Sequence, residues 1–488
     1  MMNYTSRSLK ITVLFVGAFF YLSGIFAQTK AQKIEELLNK YQEYGQFNGS
    51  ALVAEDGKII LSKGFGMANM EYDIPNKAET KHRLGSITKQ FTATLIMQLV
   101  QEGKLELDKP ISTYLPDYKG PAADKVTIHH LLTHSSGIPS YTSFPGFFQE
   151  YSRDPYSPKE FVKTFADSTL QFAPGEKFEY NNSGYFLLGY IIEKVTGKSY
   201  EQALQERIFD PLNMNNTGYD HHANILKNRA SGYEKNGNGY VNAPYLDMSL
   251  PYAAGSLYST VEDLYKWDRA LYENKILSEE SKKLMFSPQI KDGEGYYGYG
   301  WMMTDLPVGD TKDSVKVIAH GGGINGFNTL IARFPEGDDL VVLLNNTGGT
   351  KLREMTKSIN DILHGEDYEL PKRSLAMNVL PVFREKGVEA GMKKFKELKA
   401  DDSYSLNEAE MNRIGYQLLQ NGKVDEAIAV FKINVEEFPK SWNVYDSLGE
   451  AYMNAGQKEK AVTNYKRSLE LNPDNDNGKQ MLKQIEGQ

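Results

Sequence analysis

Hydrophobic and polar positions alternate with two different periods along this chain. In KAQKIEELLNKYQEYG (residues 30–45) the apolar residues recur every three or four positions, which predicts an amphipathic helix. FNGSALVAEDGKIILSKGFGMAN (47–69) alternates with a period of two instead, and Asp56-Gly57 at its middle is a hairpin turn signal. FTATLIMQLV (91–100) is apolar nearly all round, the pattern of a buried helix. Residues 130 to 290 mix helical stretches with loops rich in Gly, Pro, Asn and Tyr. Strand-like runs return in VKVIAHGGGINGFNTLIARFP (315–335) and DDLVVLLNNT (338–347). A hairpin near the start and strands near residue 340, with a helical insert between, predict an α+β fold whose antiparallel sheet is assembled from both ends.

The end of the chain repeats. Gly415, Ala427, Phe431 and Pro439 recur 34 positions later as Gly449, Ala461, Tyr465 and Pro473. The period and the residue types resemble tetratricopeptide repeats over residues 407–474, helical pairs in which small residues let an aromatic pack closely. Residues 386–399 resemble one helix of an imperfect earlier unit, and the segment after Pro473 a capping helix. Two repeats fall short of the roughly three that such stacks need. The array is therefore expected to lean on neighbouring helices or on the main domain. A linker is expected around residues 366–380.

Composition narrows the function. The 488 residues are 40% hydrophobic and 24% charged, as expected of folded domains, and the net charge of -8 gives no basic surface for a nucleic acid. With no cysteine, disulfides, thiolate metal sites and cysteine nucleophiles are excluded. Arg7 and Lys10 precede an apolar run from Ile11 to Ala27, the pattern of an export signal cut after Ala27. The run is nearly long enough to span a bilayer, so a membrane association is expected only if this segment is retained.

Candidate chemistry sits at Ser86-Ile87-Thr88-Lys89. Residues i and i+3 share a helix face, with Cβ atoms about 5–6 Å apart. A serine hydroxyl becomes a nucleophile when a base takes its proton, and burial lowers a lysine pKa toward that task. Taken alone, an S-x-x-K is an ordinary helix start, with Ser86 as cap and Lys89 solvated. Two further elements change this. Tyr180-Asn181-Asn182 supplies a hydroxyl that can relay a proton and an amide that can hold a carbonyl or the lysine. His320-Gly321-Gly322-Gly323, expected on an edge strand, supplies glycines against which a substrate can lie and a backbone N–H for an oxyanion. His129, His130 and His134 lack the glutamate of an H-E-x-x-H site, and no metal or cofactor is implied.

With these elements, and with connecting segments such as VTIHHLLTHSSGIP, AAGSLYSTVEDLYKW and YGYGW, residues 35–350 resemble the serine β-lactamase-like and penicillin-binding proteins, near class C β-lactamases and D-alanyl-D-alanine carboxypeptidases. The resemblance implies Ser86 as acylated nucleophile, Lys89 as its base, Tyr180 as proton relay and activator of the deacylating water, and Asn182 as orienting amide. The backbone N–H groups of Ser86 and Gly323 would form the oxyanion hole. His320 and Gly322 would join Gly323 in binding substrate, and the T-H-x-S-G segment at His134 would shape a loop near the site. His320 stands where many relatives carry lysine. An unperturbed imidazole titrates near 6.5, so carboxylate anchoring is expected to depend on pH.

The expected organisation is a signal over 1–27, a hydrolase domain over 28–365, a linker and helical segment over 366–405, and repeats over 406–488. The expected activity is an exported serine hydrolase of esters, D-amino-acid amides or β-lactams, foremost a D-aminopeptidase, carboxypeptidase or esterase. Weak β-lactamase activity, or a non-catalytic adaptor on a retired scaffold, are the alternatives. The expected partners are a small-molecule or peptide substrate and a protein bound by the repeats.

Overall fold

The structure is a computed structural model that describes residues 28–236 and 239–487. The expected export signal lies outside the described residues.

The sheet expected from both ends of the first domain is present. Strands β1 (Gly49–Glu55) and β2 (Lys58–Phe65) form the hairpin, with Asp56 and Gly57 both at positive φ in its turn. Six later strands follow: β3 (Ile290–Asp292), β4 (Gly295–Tyr297), β5 (Met302–Pro307), β6 (Ser314–Ile324), β7 (Phe327–Phe334) and β8 (Asp339–Asn345). The antiparallel order is β3-β4-β5-β6-β7-β8-β1-β2, and the ends of the domain meet where Gly49 pairs with Asn345 and Val53 with Val341. Alternate residues of β1 and β8 enter two different cores. Ala51, Val53, Val341 and Leu343 pack beneath helices α1 (Lys30–Glu43) and the C-terminal helix of the domain, Leu352–His364. Leu52, Ala54, Val342 and Leu344 pack on the other face with α2 (Thr88–Gln101), α3 (Asn182–Thr196) and α4 (Val261–Tyr272).

Helix α2 is buried from Thr88 to Leu99, as its apolar pattern predicts. Two of its polar residues bond to the insert: Trp267 Nε1 donates to Gln90 Oε1 (3.0 Å), and Thr92 Oγ1 donates to the Ala253 carbonyl (2.6 Å). These bonds fix the helix to the insert.

The edge-strand expectation for the glycine run needs correction. β6 is interior in the strand order, between β5 and β7. Its pairing with β5 nevertheless stops at Ala319, whereas its pairing with β7 runs on to Ile324. His320–Ile324 therefore forms a local free edge within an interior strand.

The C-terminal region is a helical array: α5 (Leu352–His364) closes the first domain, and α6 (Leu375–Lys399), α7 (Glu408–Gln420), α8 (Val424–Glu437), α9 (Trp442–Asn454), α10 (Lys458–Leu471) and α11 (Asp476–Glu486) follow. α6 is two helices joined at Gly387, where φ is 79°. The same small-against-aromatic contact recurs in each pair: Gly391 on Phe383, Gly415 on Phe431, Gly449 on Tyr465. Leu375 to Leu398 share one core with the repeats. The segment expected as linker and single helix thus supplies a third helical pair, which answers the shortage of repeats. Contacts to the first domain include polar ones: Gln46 Nε2 donates to the Lys372 carbonyl (2.7 Å), and Arg373 pairs with Glu43 (2.9 Å) and lies over the Tyr44 ring (4.7 Å).

Because both sheet cores lie within the first domain, a chain ending at Lys372 is expected to melt cooperatively, as followed by circular dichroism. Gly322→Ala is expected to destabilise by about 1–3 kcal/mol in the same assay, since the new Cβ would stand 1.9 Å from the Leu84 carbonyl oxygen.

Candidate active site

The site forms where the entry to α2 is pressed against the glycine run of β6. Gly85 takes a left-handed φ of 54° and opens a short 3-10 turn, Gly85–Ile87, that leads into α2. A side chain at Gly85 would meet the Gly323 backbone nitrogen at 2.9 Å. Thr329 Oγ1 on β7 donates to the Leu84 carbonyl at 2.7 Å and holds the turn from below. These contacts require glycine at 85 and 322, and they leave Ser86 half-buried at the sheet's free edge. Gly322 therefore packs against Leu84 and Thr329, contrary to the substrate-facing role expected of it. Gly323 is exposed, has open space where a Cβ would be, and lines a cavity with Ser86 and Asn182.

Lys89 is wholly buried, and desolvation holds its amine well below the usual lysine value of 10.5. Three oxygens surround its Nζ, each at 2.9 Å: Ser86 Oγ, Asn182 Oδ1 and the Ala254 carbonyl. A carbonyl and an amide oxygen can only accept. In the neutral amine the two N–H bonds go to Asn182 and Ala254, and the lone pair is left for the Ser86 hydroxyl. The geometry thus suits proton removal from Ser86.

Asn182 is oriented by the insert. Its Nδ2 donates to Thr142 Oγ1 (3.2 Å), and its backbone N–H donates to Ser140 Oγ (3.2 Å). Asn181 caps α3 by accepting from Gly184 N (2.7 Å), which places Asn182 at the first helical position. Tyr180 lies beside the pair. Its phenol neighbours the Ser86 side chain, and Lys89 Nζ sits 4.8 Å from its ring centroid. Desolvation raises the Tyr180 phenol above its usual 10, and the nearby Ser86 side chain opposes this only partly, so it stays protonated.

His320 differs from expectation. Burial, and after it the charge of Lys89, push it down to about 3. Its Nδ1–H donates to the Gly321 carbonyl (2.6 Å), and its Nε2 accepts from the Tyr297 hydroxyl (3.0 Å). Both nitrogens are engaged and the ring is neutral at ordinary pH, so it offers a carboxylate neither charge nor a free donor.

Several contributors were not singled out as site residues. His134, at φ 58°, accepts the Asn181 N–H on Nδ1 (3.0 Å) and lies 4.3 Å from the Tyr180 ring, which gives the expected loop-shaping a concrete form. Tyr185 places its ring 5.5 Å from Lys89 Nζ and donates its hydroxyl to the Leu132 carbonyl (2.9 Å). The Ala254 carbonyl carries no side-chain signal at all. His129 bonds the Tyr299 hydroxyl (2.9 Å), and His130 Nδ1 accepts the Thr127 N–H (3.2 Å) at the start of helix Ile128–Leu132; each has a local structural use.

Comparison with known proteins agrees with this geometry. The family model described as Beta-lactamase matches residues 31–364, and that described as Tetratricopeptide repeat matches residues 442–475. The putative penicillin-binding protein PbpX of Bacillus subtilis (strain 168) is 32% identical over 334 residues, covering 68% of this chain and 79% of that protein. Among solved structures, the octameric penicillin-binding protein homologue from Pyrococcus abyssi superposes with a TM-score of 0.60 at 32% identity, over 72% of this chain and 81% of that one. The D-amino acid amidase from Ochrobactrum anthropi SV3, complexed with D-phenylalanine, superposes with a TM-score of 0.60 at 26% identity, over 69% of this chain and 99% of that one. The buried lysine beside a half-buried serine, on a sheet closed from both ends, thus sits in a chain that belongs to the Beta-lactamase family, a hydrolase fold related to penicillin-binding proteins and D-amino acid amidases, with a tetratricopeptide repeat at its C-terminal end.

Proposed function

We propose that this chain hydrolyses ester or amide carbonyls through an acyl-enzyme on Ser86. The observation that carries the proposal is the uncompensated, buried Lys89 amine 2.9 Å from Ser86 Oγ. Ser86 Oγ attacks the carbonyl carbon as its proton passes to the Lys89 lone pair. The oxyanion is received by the backbone N–H groups of Ser86 and Gly323. Tyr180, a neutral phenol beside Ser86 and Lys89, passes a proton to the leaving oxygen or nitrogen and recovers one from Lys89. The reverse relay then activates water, which attacks the acyl carbon and frees Ser86. Asn182 holds Lys89 in place, and His320 acts behind the site through Tyr297.

A retired scaffold that merely carries the repeats would gain nothing from an enclosed amine without a carboxylate partner, since burying such a group is costly. The domain's kinship with penicillin-binding proteins and an amidase also favours acyl transfer. Arg7, Lys10 and the apolar run to Ala27 support action outside the cytoplasm. The helical array supports a protein partner for the C-terminal region.

Ser86→Ala is expected to lower p-nitrophenyl ester hydrolysis by about 10³-fold or more, and to abolish a fluorophosphonate adduct seen by intact-mass spectrometry. Equal rates in wild type and variant, with no adduct in either, would remove the proposal. A second expectation concerns pH. The base must be neutral, and burial lowers the Lys89 pKa, so kcat/KM is expected to rise with pH and level off well below 10.5. Because His320 titrates near 3, no limb is expected near pH 6.5, even with a carboxylate-bearing substrate. A histidine limb that disappears in His320→Gln would contradict the buried, neutral assignment.

A further inference from the structure

The cavity at Ser86 has a volume of about 140 Å³. An apolar cavity of about 150 Å³ is large enough to hold benzene. Its lining joins Ser86, Asn182, Gly323, Thr142 and Asn325 to the apolar Phe147, Phe148, Leu246, Leu250 and Ile324. Among the described residues, no Asp, Glu, Lys, Arg or His lines it. Phe148, which meets the Phe147 ring edge-on at 5.1 Å between centroids, leaves 48% of its surface exposed. Tyr180, the proton donor to the departing atom, is not among the lining residues. The cavity therefore receives the part of the substrate that stays on Ser86, and the leaving group departs toward Tyr180.

We propose that the substrate's acyl portion is uncharged and carries a ring-sized apolar group, which packs between Phe148 and the Leu246–Leu250–Ile324 wall; this rests on the acyl-enzyme reading above. A charged acyl group would lose its hydration in this cavity without gaining a counter-charge. The charge that reaches His320 besides that of Lys89 is Arg353, but it stands on α5 with its guanidinium at Met302 Sδ (3.5 Å) and does not line the cavity. A carboxylate beside the scissile carbonyl, or an ammonium on the acyl carbon, is therefore disfavoured, which separates this site from one built for either class of charged amino-acid substrate.

The experiment is a set of p-nitrophenyl esters that share one leaving group and differ in acyl chain: acetyl, phenylacetyl, pentanoyl, glutaryl and phenylalanyl. Phenylacetyl is expected to exceed acetyl in kcat/KM by about tenfold or more, and pentanoyl to exceed the similar-length but anionic glutaryl by a like factor. Phenylacetyl is likewise expected to exceed the cationic phenylalanyl ester. Phe148→Ala, at a half-exposed position, should lower the phenylacetyl-to-acetyl ratio of kcat/KM by about fivefold or more. Asn325→Lys, which places a cation at the cavity rim, should raise glutaryl turnover relative to pentanoyl. Ser86-dependent turnover with no phenylacetyl preference, or with glutaryl or phenylalanyl favoured, would overturn this specificity and leave the acyl-enzyme reading standing. Absence of Ser86-dependent turnover across the whole series would overturn both.

Discussion

An amine enclosed by protein with no carboxylate to balance it is the constraint on which the rest of this site depends. Lys89 would be charged in water, and within the helix that carries it the charged form is penalised. What makes the position tolerable is a set of three oxygens at 2.9 Å, two of which can only accept. Each comes from a different part of the chain: Ser86 from the same turn, Asn182 from the first position of α3, and the Ala254 carbonyl from the loop before α4. The helical insert must therefore dock with an accuracy of a few tenths of an ångström. The bonds that fix α2 to it, from Thr92 to Ala253 and from Trp267 to Gln90, are the means.

The layer behind Lys89 extends the same logic. His134, Tyr180, Tyr185, Tyr297 and His320 form a nearly closed set of rings. Burial depresses both histidines, and the ammonium form of Lys89 adds to it; the interaction is mutual, since a protonated histidine there would push Lys89 lower still. Neutral rings avoid this, and the faces of Tyr180 and Tyr185, 4.8 and 5.5 Å from Nζ, give mild support to the ammonium that forms when Lys89 takes a proton. A histidine at position 320 thus fits this layer better than a second cation would. Its value lies in being an uncharged ring that accepts from Tyr297.

Much of this was legible in the sequence because it follows from local pattern. The Asp56-Gly57 turn, the unbroken apolar face of α2 and the strand-like runs near residue 340 each state their own conformation. The S-x-x-K, Y-N-N and H-G-G-G elements name side chains whose chemistry is apparent before their positions are known. What escaped depends on register and burial. The free edge of β6 arises because β5 is short and pairs only as far as Ala319, a property of two strands together. The role of His320 turns on desolvation, which no motif records. Gly322 and Gly323 look equivalent in sequence, yet one abuts Leu84 and the other opens on the cavity. The Ala254 carbonyl is a backbone atom, invisible to any search for functional side chains.

The helical array is self-supporting for a reason of the same kind. Gly387 breaks what would otherwise be one long helix and folds its halves together, with Phe383 filling the space that Gly391 leaves. This extra pair gives the stack the third unit that its sequence period alone did not supply. Its attachment to the hydrolase domain includes an exposed Arg373–Glu43 pair and one hydrogen bond to Lys372, and solvent screens exposed ion pairs of this sort so that they contribute little. A core of its own and polar docking contacts together mean that the array's stability does not derive from the site. Conversely, the positioning of Lys89 does not derive from the array, because every oxygen around that amine belongs to residues before 255.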